Sequence, residues 1–285
     1  MYTPLPHGEI SSTVNTLITA AMAVWLIGLA VWAIRDWATR RRPHLALIMY
    51  SAPLAVCVEP VLDQILNVQH FHSRDALIIF TAFDRDITAW LVMAAAAWFG
   101  TMIYLAMTAV DQGWPSGKLW RLYAGLVIFT LAGEIIVTGA GIYTYYGSQP
   151  LKVFGVPFAM PFIYASAFMV LGLVTHHFTA HVHGVRRLLF LPVISSTFVG
   201  AIALMAWPLT LGIGMTLSTS AMTVLGAVSA SLALLSFHAM ATWVSRRHGN
   251  EPAGTGESAQ TNSPTSAAIR EVSETAATPT RTESS

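Results

Sequence analysis

The sequence predicts an all-α membrane protein of seven transmembrane helices, with its N-terminus outside and its C-terminus in the cytoplasm. Three observations carry that prediction. Apolar residues make up 54% of the chain and charged residues 10%, against about 25% charged in ordinary soluble domains. Apolar runs of about 20 residues, long enough to cross ~30 Å of hydrocarbon, recur seven times. The basic residues of the connections fall on one side, which the positive-inside rule makes cytoplasmic.

The first span is expected near 14–34. No basic segment precedes it and no small-residue cleavage site follows it, so it reads as a retained helix rather than a removed signal peptide. The loop from Arg35 to Arg42 carries four arginines. The second span, near 45–67, contains Cys57, Glu59 and Pro60. The third, near 87–108, begins just after Asp84-Arg85-Asp86 and ends before Lys118 and Arg121. The fourth, near 120–146, contains Glu134 and closes on a run of glycines and tyrosines. The turn formers of 148–158 form an outer loop placed to cap a cavity. The fifth and sixth spans, near 158–176 and 187–207, are joined by a loop containing Arg186 and Arg187. The seventh, near 217–244, ends at Arg246 and Arg247. Residues 1–248 thus form one transmembrane domain. From Gly249 to Ser285 the composition shifts to Ser, Thr, Ala, Glu and Pro. Such a segment buries too little apolar surface to offset its ordering entropy, so a disordered cytoplasmic tail is expected.

Several classes are excluded at this level. Fifteen Lys plus Arg against fourteen Asp plus Glu provide no basic surface for a phosphate backbone, so no nucleic-acid partner is expected. The lone cysteine forbids an intrachain disulfide and reads as a small core residue. The only lysines, Lys118 and Lys152, lie in loops, so the last helix offers no Schiff base for a retinal pump.

The candidate site follows from the acidic residues. Up to Ser245 the chain holds three glutamates, and two of them, Glu59 and Glu134, lie inside apolar spans. A carboxylate at the bilayer centre costs roughly 2.5–3.5 kcal/mol on insertion scales and usually faces a protein interior. Glu59, Asp63, Asn67 and His70 recur at helical spacing and read as one polar face. For Asn67 and His70 a helix end emerging into water fits equally well. Pro60 removes a backbone hydrogen bond and is placed to kink the helix beside Glu59. Glu59 and Glu134 each lie about 15 residues from the cytoplasmic end of their span, so they are expected at similar depth, facing one cavity. On a continuous fourth helix, Tyr123, Glu134, Thr138, Gly141 and Tyr145 share a face. Tyr143 and Tyr145 either position substrate or join Tyr146 in the interfacial aromatic belt. Asp84 and Asp86 read as a solvated helix start, with Asp86 a candidate substrate contact. Arg85 has Asp63 or Glu59 as a candidate partner.

The run Gly133-Glu134, Gly139, Gly141-Ile142-Tyr143-Thr144-Tyr145 and Gly155-Val156-Pro157 resembles bacterial integral membrane proteins that process prenyl and polyketide lipids. Two families share that Glu, Gly-x-Tyr-x-Tyr and Gly-Val-Pro pattern: carotenoid hydratases of the bacterioruberin type, and the actinobacterial spirocyclase family related to avermectin assembly. The resemblance covers about 25 residues of 285. It implies functional roles for Glu134, Tyr143 and Tyr145.

The residues point to a chemistry on their own account. A carboxyl group desolvated among apolar side chains keeps its proton to higher pH, which makes it an acid within a greasy site. Glu59 and Glu134 are therefore expected to be an acid–base pair, with Asp63 tuning Glu59 and with Tyr143, Tyr145, Asn67, His70 and Asp86 contacting substrate. The expected reaction is cofactor-independent cyclisation, hydration or isomerisation of a lipophilic molecule in the cell membrane. No metal is expected in that site. His176, His177, His181 and His183 offer a competing metal site, with His177 and His181 one helical turn apart, but read first as a solvated, mildly cationic loop beside Arg186 and Arg187. His238 reads as an interhelical hydrogen-bonding residue. Intramembrane carboxylates also serve transporters and sensors, which keeps that class open.

Overall fold

The computed structural model describes residues 5–215 and 217–249. Of the expected tail, 249–285, Gly249 closes the last helix and the rest lies outside the described residues. The fold is mostly helical. Six helices are long and apolar enough to cross a membrane, or seven if a bent pair of shorter ones counts as a span.

Helix α1 runs Ser12–Arg40. The Ser11 hydroxyl caps it by accepting from the Val14 amide at 3.2 Å, and Arg41 ends it in a left-handed conformation. Such caps satisfy the amides and carbonyls that helix ends leave unpaired. The second span is broken. Helix α2 (His44–Ser51) continues as a 3-10 stretch through Cys57, and α3 (Glu59–Leu66) departs from it at 53°. Pro60 lies in the first turn of α3. There its missing N–H costs nothing, whereas one continuous helix would lose a bond and set the ring against a carbonyl. Cys57 is exposed, contrary to the core position expected for it.

The all-α expectation needs correction between the spans, where three two-stranded antiparallel sheets form. Strand β1 (Val68–His70) pairs with β4 (Tyr143–Tyr145), with Val68 opposite Tyr145 and His70 opposite Tyr143. Strands β2 (Ile78–Ala82) and β3 (Arg85–Thr88) form a hairpin, as do β5 (Lys152–Val153) and β6 (Val156–Pro157). Phe83 and Asp84 both take positive φ in the β2–β3 turn, which matches the twist of a tight hairpin.

The third span combines α4 (Ala89–Ala94), a π-helical turn over Ala95–Phe99, and α5 (Gly100–Asp111). Helix α6 (Ser116–Gly139) stops seven residues short of the expected 146. Gly141 has φ +70°, and the chain then turns back as β4. Helices α7 (Met160–His181), α8 (Phe190–Gly214) and α9 (Thr219–Gly249) complete the bundle. Arg42 pairs with Asp111 at 3.4 Å and His176 approaches the same carboxylate at 3.5 Å. Three of the expected basic connections therefore meet at one end of the fold. Large apolar side chains such as Val24, Ile128, Leu204 and Leu235 point outward.

Helices α5 and α7 form the centre of the bundle. Gly172 is the reason they approach so closely: a Cβ there would lie 2.6 Å from the Met107 amide nitrogen. Small residues at helix crossings substitute for a hydrophobic driving force that lipid does not provide. Gly172→Ala should therefore destabilise the protein by about 1–3 kcal/mol, as overpacked interiors do. Gly200→Ala, where nothing lies within 4 Å, should have little effect. Thermal unfolding of both variants in detergent checks this; equal midpoints would contradict the packing described.

Candidate functional site

The site is built where three helices stop or bend inside the fold. Glu59 opens α3 at the break, and Asp63 follows one turn later on the same face. Asn67 ends α3 with φ 52° and ψ 56°, a left-handed C-cap that asparagine tolerates well. The turn sends β1 back, so His70 reaches the Asp63 face from a strand rather than from a continued helix. Expecting the four residues on one helical face was wrong from Asn67 onward. Placing Glu134 and Tyr145 on one helical face also fails, because α6 has ended before Tyr145. The two nevertheless meet: the Tyr145 hydroxyl donates to Glu134 Oε2 at 2.8 Å.

These groups line one cavity of about 130 Å³. Glu59, Asp63 and His70 stand on its wall with Glu134, Tyr143, Tyr145 and Tyr164. The rest is largely apolar and aromatic, with Trp90, Trp98, Phe99 and Phe168 from the third and fifth spans and Ile18 and Met22 from α1. Asp63 is 2% exposed and Glu134 9%, while Glu59 is less covered. His70 is held by ring contacts, with centroids 5.2 Å from Tyr143 and 6.0 Å from Trp90. Its Nε2 lies 3.4 Å from Asp63 Oδ1. Among the described residues, several buried polar atoms on this wall have no hydrogen-bond partner: Asp63 Oδ2, both His70 ring nitrogens, Trp90 Nε1 and Thr130 Oγ1. Gly133 forms part of the wall because the Trp98 ring occupies the space a Cβ would need.

Arg85 makes no carboxylate ion pair among the described residues. Its buried guanidinium donates to the carbonyls of Phe83 at 3.0 Å and of Asp63 and Val68 at 3.4 Å, and to the Tyr146 hydroxyl at 3.0 Å. Tyr146 is thus tied into the fold. The 148–158 segment braces β4 rather than lining the cavity: Lys152 Nζ donates to the Tyr145 carbonyl at 2.6 Å, and Gln149 Nε2 to the Leu66 carbonyl at 3.0 Å.

Two expected contacts are not brought to the cavity. Asn67 serves as a helix cap, and Asp86 lies on β3 facing Thr81 and His72, with His72 Nε2 2.9 Å from Asp86 Oδ2. At the other end, His177 and His181 stack with centroids 4.3 Å apart, and the His181 ring Nδ1 donates to the His177 carbonyl at 2.7 Å. One imidazole nitrogen is thereby used locally. Trp90, Trp98, Thr130, Tyr164 and Phe168 were missed by the sequence reading. Thr130 alone carried a signal, standing four residues before Glu134 on the same helical face.

Comparison with known protein families, with curated proteins and with solved structures gives no match.

The Asp86 carboxyl is held below its ordinary range, first by the hydrogen bond from Thr81 and then by His72, against a partial opposing effect of burial. Stability from a depressed carboxyl is fully present above the unfolded-state value and is lost as pH falls through the folded-state value. Protection of the β2 and β3 amides from hydrogen exchange, corrected for intrinsic rates, should fall toward acid. In Asp86→Asn it should be weaker at neutral pH and lack that acid-dependent loss; an unchanged profile would refute the role of Asp86.

Proposed function

We propose that the protein is a membrane-embedded enzyme that cyclises, hydrates or isomerises a lipophilic substrate of terpenoid, carotenoid or polyketide type. It lies in the cell membrane with its N-terminus outside and its C-terminus in the cytoplasm. The convergence of basic connections at one end supports that orientation through the positive-inside rule. The observation that carries the functional reading is that Glu59 and Glu134, from two different spans, line a single apolar and aromatic cavity.

The chemistry needs an acid and a base on opposite sides of a substrate carbon skeleton. Glu134 is the acid. Tyr145 donates to its Oε2, which fixes the carboxyl and stabilises the carboxylate left after proton transfer, while Oε1 carries the proton. Delivery of that proton to a double bond forms a C–H bond and a carbocation. The flanking aromatic faces stabilise the cation by ~0.5–2 kcal/mol each. Loss of a neighbouring C–H proton to the Glu59 wall gives an isomer, or a ring if a second double bond attacks first. Capture of water, with its proton passing to the same wall, gives a hydrate. Return of the proton from the Glu59 wall to Glu134 resets the site.

The cavity is close in size to an engineered protein cavity of ~150 Å³ that accepts benzene. It therefore takes one ring or one branched end of a substrate. The resemblance of Glu134, Tyr143 and Tyr145 to the carotenoid hydratase and spirocyclase patterns supports the same substrate class. A transporter or sensor is the second reading, favoured by the broken span at Glu59, since interrupted helices at membrane depth also form ion paths.

Profiling of membrane lipids and terpenoids in a host that supplies polyenes and polyketides tests the proposal. Wild-type protein should yield a product isomeric with a host lipid or heavier by one water. Glu59→Gln and Glu134→Gln should each lower its formation by about 10²–10⁴-fold while the protein remains inserted and folded. Undiminished product in either variant would remove that residue from the mechanism. No product with wild type would favour the transporter or sensor.

A further inference from the structure

We propose that Glu59, Asp63 and His70 form a binding site for one divalent first-row transition-metal ion, of the Zn²⁺, Fe²⁺ or Mn²⁺ class, with open coordination positions facing the cavity. One donor atom from each of the three lies within 4.8 Å of the others. The set is assembled by the fold rather than by local sequence alone. Glu59 and Asp63 are one turn apart on α3, and the left-handed turn at Asn67 returns His70 to them on β1.

The independent observation is the state of the donors themselves. Asp63 is 2% exposed and the His70 side chain 10%. Asp63 Oδ2 and both His70 nitrogens nevertheless have no hydrogen-bond partner among the described residues. Their one mutual approach, Nε2 to Asp63 Oδ1, is long at 3.4 Å. Buried polar atoms are normally satisfied, and each exception calls for a cause. Arg85 does not supply one, because its guanidinium is spent on the Asp63, Val68 and Phe83 carbonyls and on Tyr146. A dication balances two carboxylates and gives the imidazole and Asp63 Oδ2 the partner they lack.

The donor types select the metal. Two carboxylate oxygens and one imidazole suit Zn²⁺, Fe²⁺ or Mn²⁺, and the absence of a thiolate from the set argues against a soft ion such as Cu(I). Three protein ligands with a free side are the pattern of catalytic rather than structural sites. Ligand bonds of about 2.0–2.2 Å require the three side chains to close inward slightly. Glu59 and His70 are both less covered than Asp63. The inference rests on reading this cavity as a reaction site and revises the expectation of a metal-free one. Glu59, Asp63 and His70 would hold the ion on the cavity that Glu134 also lines, and a water on it would supply the proton acceptor otherwise assigned to the Glu59 wall.

The test is metal content of the purified full-length protein in lipid nanodiscs, measured without substrate so that it stands apart from turnover. The protein is stripped with chelator, reloaded with Zn²⁺ or Mn²⁺, and analysed by elemental mass spectrometry. Wild type should hold about one ion per chain. Asp63→Asn and His70→Gln should weaken retention at least tenfold, while Glu134→Gln retains the ion. In Mn²⁺-loaded wild type, pulsed electron paramagnetic resonance should show coupling to one imidazole nitrogen that His70→Gln lacks. Wild type that binds neither ion would overturn the site, as would His70→Gln binding with unchanged affinity and spectrum. Full product formation by chelated, metal-free wild type would remove the ion's part in proton transfer while leaving the acid–base reading intact.

Discussion

The fold depends on how it satisfies the carbonyls that are freed where α3 ends. An unpaired backbone group in a membrane interior costs several kcal/mol, so an interrupted span survives only where other parts of the protein supply donors. Here the donors come from three separate segments. The Asn67 amide and Arg85 reach the Asp63 carbonyl, Gln149 reaches Leu66, the Tyr146 amide reaches Asn67, and Arg85 also reaches Val68. Once these bonds are made, β1 is fixed against β4, and the polar groups of α3, β1, α6 and β4 are brought to one wall.

That arrangement explains why irregular backbone gathers around the cavity. The span breaks before Glu59, the third span widens into a π-helical turn beside Trp98 and Phe99, and α6 unwinds after Gly139. Each departure redirects a side chain that a regular helix would turn elsewhere. π-helical turns of this kind occur often at functional sites. Burial of Asp63 and Glu134 is the chemical return: groups that water would otherwise level are held in a small space with aromatic walls.

Much of this was legible in the sequence, and the limits have physical causes. Apolar run length located the helices, because crossing hydrocarbon imposes a length. The rarity of intramembrane carboxylates located Glu59 and Glu134, and Pro60 marked the bend. Helical periodicity failed at Asn67 and after Gly139. Neither residue forbids a helix; the decision to leave it comes from pairing between β1 and β4, some 75 residues apart, which local pattern does not encode. For the same reason Arg85 looked like an ion-pair partner for Asp63, when its guanidinium in fact serves main-chain carbonyls. Tyr164 and Phe168 had no polar pattern to separate them from ordinary apolar helix faces.

The claim on which everything else rests is that β1 and β4 pair and close the cavity. Oxidative cross-linking tests it directly in a Cys57→Ser background carrying His70→Cys and Tyr143→Cys, which lie opposite each other in the register. A disulfide should form readily and protect both thiols from maleimide labelling. Two thiols that stay free and label fully under oxidising conditions would contradict the pairing and the site built on it.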